Sequence, residues 1–128
     1  MHLWRVKNKP IKDKLMDTTE IQKSKAHTAA DMIQNVKNAV VAKSILEKPR
    51  GNISILSFDK GEGWIEKITP FDTFALIIEG KAEIVISGEH NLLLSGQSIV
   101  IPAHSPYYVT SGERFKMMVT VIKSGYQV

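Results

Sequence analysis

The chemistry open to this chain is bounded first by its histidines and cysteines. His2, His27, His90 and His104 have no H-x-H or H-x3-H spacing that would bring two imidazoles to one metal ion. There is no cysteine, hence no thiolate nucleophile, disulfide framework or zinc finger. The stretch richest in polar groups and turn glycines runs from Gly61 to Ser111. In it, Gly61-Glu62-Gly63-Trp64-Ile65-Glu66-Lys67-Ile68-Thr69 leads through Thr73 to Gly80, and Gly96 leads through Pro102 to Tyr107.

The elements that must position these groups read as strands. Val40–Leu46, Ile53–Phe58, Trp64–Ile68, Phe74–Ile78, Ala82–Ile86, Leu92–Leu94, Ile99–Ile101, Tyr107–Val109 and Phe115–Ile122 are short apolar or alternating runs separated by Gly, Pro, Asn and Ser turns. Strands spaced every ~8–12 residues predict an all-β sandwich or barrel. Ser87-Gly88-Glu89-His90 predicts a tight hairpin. Ahead of the strands, Thr28 could cap a two-turn helix in which Ala29, Met32, Ile33 and Val36 share one face. So short a helix must dock on something larger. The predicted organisation is a flexible N-terminal extension over 1–15, a short helical segment within 16–38 and a β domain over 39–124.

The glycine and proline spacing from Gly61 to Ser111 resembles the two motifs of the cupin superfamily, G-x5-H-x-H-x3-E-x6-G and G-x5-P-x-G-x2-H-x3-N. Every interval fits without a gap. The resemblance implies a cupin-like double-stranded β-helix, a jelly-roll barrel, across roughly 39–123. In metal-dependent members the family implies three histidines and a glutamate holding an ion inside the barrel. Here Lys67 and Thr69 stand at the first two histidine positions, Thr73 at the glutamate and Tyr107 at the last histidine. His104 replaces the turn glycine of the second motif. No metal and no other cofactor is therefore expected. If the alignment holds, Lys67, Thr69, Thr73 and Tyr107 point into the barrel with Trp64 or Phe74 nearby, forming a pocket for a small polar or anionic ligand. A lysine in such a place would have a lowered pKa, which could make it a base or an imine-forming amine. Two plainer arrangements compete: Lys67 snorkelling out of the mouth along Trp64 or Phe71, or a one-residue slip that puts Glu66 and Ile68 inside.

Composition narrows the partners. The net charge of +4 is carried entirely by residues 1–15, where Arg5, Lys7, Lys9, Lys12 and Lys14 face Asp13 alone. A nucleic-acid binder needs its basic residues on a face of the folded domain, so none is expected. No apolar run approaches the ~18 residues of a membrane span, and no apolar leader opens the sequence; a cytoplasmic location is expected. The Leu92–Leu94 run, with the alternating last strand, predicts a surface buried by a second copy in a homodimer. A binding module is the first functional reading. The others are a metal-independent isomerase or epimerase, and a structural or regulatory domain with a vestigial pocket.

Overall fold

The turn-punctuated alternation between Val40 and Ile122 folds into nine strands in two sheets. The computed structural model describes residues 21–123 and, before them, the backbone of three short strands. These are β1 (Trp4–Val6), β2 (Lys9–Ile11) and β3 (Leu15–Asp17). The nine that follow are β4 (Val40–Lys48), β5 (Gly51–Phe58), β6 (Trp64–Lys67), β7 (Asp72–Glu79), β8 (Lys81–Ile86), β9 (Glu89–Leu94), β10 (Ser98–Ile101), β11 (Tyr107–Thr110) and β12 (Phe115–Ile122).

A six-stranded sheet has the order β10-β7-β12-β5-β4-β3 and a four-stranded sheet the order β6-β11-β8-β9. Pairing is antiparallel throughout except that β3 adds to β4 in parallel. β1 and β2 pair with each other. The predicted flexible extension over 1–15 falls largely outside the described residues. Among the described residues no helix is long and apolar enough to cross a membrane.

Consecutive strands often belong to opposite sheets, and the sharpest crossing is at Gly80. β7 ends at Glu79 and β8 starts at Lys81 in the other sheet, so one residue turns the corner. Gly80 does so at φ +81°, in the left-handed region where a side chain is strained.

The apolar core lies between the sheets and is graded along the strands. On β5 the inward residues run Asn52, Ser54, Leu56, Phe58; on β12 they run Phe115, Met117, Val119, Val121, with Phe115 opposite Phe58. The large residues meet at one end, where the Phe58 and Phe115 rings stack 4.4 Å apart and Trp64 meets Phe58 edge-on at 5.6 Å. The smaller and polar residues at the other end leave space. Asp59 closes the packed end. Its carboxylate accepts from the Asn38 N–H and, at 2.7 Å, from Arg114 Nε, which hold its pKa down to about 2. This stabilisation is present above pH 3.8 and fades as the pH falls toward 2.

The predicted helix does not form. The segment holds only a 3-10 turn, Ala29–Asp31, and Thr28 makes no side-chain cap. Two turns are too few to hold a helix on their own, and tertiary contacts fix the backbone on the sheet instead: Lys116 Nζ donates to the Ala30 carbonyl at 2.7 Å and Ser57 Oγ to the Gln34 carbonyl at 2.9 Å. Ile33 still docks, buried against Val41 and Ile55 on the outer face of the six-stranded sheet, but Val36 is exposed.

Elsewhere on that outer face large apolar side chains are exposed among the described residues. Cross-strand register aligns Val100, Phe74, Thr120, Ile53 and Leu46 in one row over five strands. Val100, Phe74 and Leu46 in it are exposed. Leu92 and Leu94, on β9, are exposed as well.

Candidate functional site

The space left at the open end of the sandwich is a cavity of about 370 Å³. Trp64, Lys67, Thr69, Thr73 and Tyr107 all line it. They come from both sheets: Thr73 from β7 in the larger, Trp64, Lys67 and Tyr107 from β6 and β11 in the smaller, with Thr69 in the connection after β6.

Trp64 and Lys67 share this face although they are three residues apart, which simple alternation forbids. A bulge explains it. Lys67 is opposite Tyr107, yet Trp64 is opposite Val109, so three steps on β6 span two on β11. Ile65 and Glu66 both turn to solvent across the bulge. The competing arrangement, a slip that would bury Glu66 and Ile68, does not occur. Glu66 is outside, and Ile68, 65% exposed, adds only to the rim of the cavity.

Lys67 is half-buried, with its ammonium 4.7 Å from the centroid of the Trp64 ring. The negative face of the indole offers the cation a favourable contact. Burial nevertheless penalises the charge and lowers the lysine pKa to about 8. Tyr107 is buried and its phenol is pushed up to about 12 by the same desolvation. It keeps its proton across the physiological range.

The two threonines differ. Thr69 Oγ1 accepts from the Phe71 N–H at 3.3 Å, and its carbonyl accepts from the His104 N–H at 2.7 Å. Thr73 is 2% exposed, and its hydroxyl has no hydrogen-bond partner among the described residues. A buried polar atom left unsatisfied costs about 1–3 kcal/mol.

Asn52 and Ser54 also line the cavity and add polar groups from β5. Sequence reasoning passed over them, although they share parity with the inward Leu56 and Phe58. Phe74, weighed as a neighbour of the pocket, is on the outer face. His104 has φ +66°, the turn conformation expected of a residue replacing glycine, and is not among the residues lining the cavity. His90 is exposed, 3.1 Å from Glu83.

The cupin resemblance implies a metal held by imidazoles and a carboxylate. The cavity lining contains neither group, and no three His, Cys, Asp or Glu side chains converge among the described residues. The donor set present does not fit that ion.

No protein-family model matches the sequence, and no curated protein matches it. Solved structures are similar to it. A conserved protein of unknown function from Streptococcus pyogenes is 26% identical, with a TM-score of 0.79, over 85% of this chain and 96% of that one. A cupin superfamily protein from Desulfitobacterium hafniense is 25% identical, with a TM-score of 0.76, over 83% and 97%. A cupin 2 conserved barrel domain protein from Leptotrichia buccalis is 28% identical, with a TM-score of 0.71, over 73% of this chain and 46% of that one.

Proposed function

We propose that this chain, which has the fold of the cupin superfamily, is a binding module for a small polar or anionic molecule held between its two sheets. The observation that carries this reading is the Lys67 ammonium, which lines one cavity together with the polar side chains of Asn52, Ser54, Thr69, Thr73 and Tyr107. An anionic ligand there would meet the cation among groups able to hydrogen-bond its oxygens. An acid–base isomerase is less well supported. The lining offers no imidazole or carboxylate to work opposite Tyr107, whose phenol holds its proton until about pH 12. The vestigial-pocket reading leaves unexplained why a lysine charge is held partly buried in the cavity wall.

The test is thermal unfolding at pH 7 against a panel of small carboxylates, phosphates, sugars and polyols. A ligand that binds only the folded state raises the melting temperature in proportion to its affinity. Lys67→Met and Thr73→Val are each expected to weaken a binding ligand about tenfold or more, the worth of one charge-assisted or buried hydrogen bond. Should neither variant weaken it, the ligand is not in this cavity. A flat panel would favour the regulatory or structural reading.

We also infer a cytoplasmic homodimer. The absence of cysteine supports the compartment. The apolar row from Val100 to Leu46 supports a second copy as the occupant of that face. Asp72 and Lys48 stand at opposite ends of the adjoining row, joined in register through Ile122 and Gly51. A two-fold axis along the strands would place each Asp72 over Lys48 of the other copy. Sedimentation equilibrium should give twice the chain mass, and Phe74→Glu should return it to the monomer. A dimer unaffected by Phe74→Glu would move the interface elsewhere, with Leu92 and Leu94 the next surface to test.

A further inference from the structure

We infer that Lys67 forms a reversible imine with a small carbonyl compound, an aldehyde or a 2-oxo acid, that enters the barrel cavity. The inference rests on the binding role proposed for that cavity and adds a covalent step to it.

Three features of geometry carry it. The Lys67 ammonium lies over the Trp64 ring face, 4.7 Å from its centroid, in the wall of the open-ended cavity. Tyr107 is its register partner on the neighbouring strand and lines the same cavity. Thr73 lines it from the opposite sheet, its buried hydroxyl without a hydrogen-bond partner among the described residues. An amine, a phenol that keeps its proton and a hydroxyl seeking a partner are the groups an amine–carbonyl condensation uses. Desolvation also holds the Lys67 amine at a pKa of about 8, so a substantial neutral fraction exists near neutral pH. Lysines in water, with pKa about 10.4, have very little.

The step balances as follows. The lone pair of neutral Nζ attacks the carbonyl carbon, and the carbonyl π electrons move to oxygen, which takes a proton. The nitrogen of the resulting carbinolamine gives up a proton, and its hydroxyl leaves as water after protonation while the C=N bond forms. Amine and carbonyl thus give imine and water, with no oxidant or reductant. Solvent at the open mouth of the cavity lends the proton and recovers it, while the Tyr107 phenol, which stays protonated, is a hydrogen-bond donor for the carbonyl oxygen. With a 2-oxo acid, the protonated imine keeps a positive charge beside the substrate carboxylate.

The experiment incubates the full chain with pyruvate, or separately propanal, and sodium cyanoborohydride near pH 7.5, followed by intact-mass analysis and peptide mapping. Reduction should add the mass of one ligand less one oxygen atom, once per chain, at Lys67. The Lys67→Arg variant should lose at least nine-tenths of that adduct, and Lys67→Met should behave alike. Thr73→Val should slow trapping while leaving its position unchanged. Adduct spread over surface lysines, unchanged by Lys67→Arg, would overturn the inference. So would a carbonyl compound that raises the melting temperature through Lys67 and Thr73 yet gives no adduct at Lys67. In that second outcome non-covalent binding stands and only the covalent step fails.

Discussion

Replacing Gly80 with alanine is expected to cost about 3–5 kcal/mol, among the larger effects of a single substitution. Two causes act on the same atom. At φ +81° any Cβ pays the left-handed penalty, about 1–2 kcal/mol. That Cβ would also sit 2.4 Å from the Arg114 carbonyl oxygen and 3.1 Å from Cα and Cβ of Phe115. These are mostly backbone atoms at the start of β12, beside the Phe58–Phe115 stack, so relief requires moving the packed end of the barrel. Gly88→Ala is the natural comparison. It has nearly the same φ, +84°, with nothing within 4 Å of the added carbon, and should lose only the conformational part. Urea unfolding would read both, as a shift of midpoint at constant slope. Equal losses at the two positions would mean that the Arg114 contact carries no weight.

The second large effect concerns Lys67 and appears in how stability varies with pH. Below about pH 8 the lysine is charged in both states, and the folded chain bears the whole cost of burying that charge. Between about 8 and 10.5 the unfolded chain still holds a proton that the folded chain has released. Stability from this group therefore climbs with pH across that window. Tyr107 acts in the opposite sense at higher pH. The unfolded phenol ionises at about 10 while the folded one stays protonated to about 12, so stability falls across that interval. The two groups together favour a maximum near pH 10. Lys67→Met should remove the rising limb and raise stability at pH 7 by about 1 kcal/mol, allowing for water at the cavity mouth and the lost contact with Trp64. Ligand-free unfolding at pH 7, 8.5 and 10 would show wild type and variant converging as the pH rises. A constant difference would place Lys67 in water. An anionic ligand should reverse the trend, binding more weakly as the pH passes 8.

Much of this architecture was legible because strands and their turns are written locally. Ala82, Ile84 and Ile86 alternating up to Ser87-Gly88 announce a hairpin without reference to the rest of the chain. The meeting of Lys67, Thr73 and Tyr107 at one cavity is not local; it was implied only by the likeness of the intervals Gly61 to Gly80 and Gly96 to Tyr107 to the cupin motifs. What escaped depended on residues distant in sequence. No local pattern shows that Lys116 and Ser57 will bind the carbonyls of Ala30 and Gln34, so the helical face from Ala29 to Val36 looked sound. The bulge in β6 exists only relative to β11, which is why a register slip at Glu66 was a fair competitor. Asn52 and Ser54 were hidden by Ile53 and Ile55, whose apolar side chains face outward under the docked Ile33 or in the apolar row.

The position of β12 also bears on how the chain is made. It is the last strand among the described residues yet lies inside the larger sheet, pairing along its whole length with β5 and with β7 on its other side. A nascent chain emerging from the ribosome therefore carries two open sheet edges that nothing upstream can close. Closure waits for Phe115–Ile122 and spans long loops, which slows folding. Until then those edges can pair with other chains. A message broken before codon 115 would leave an aggregating fragment instead of a smaller working barrel.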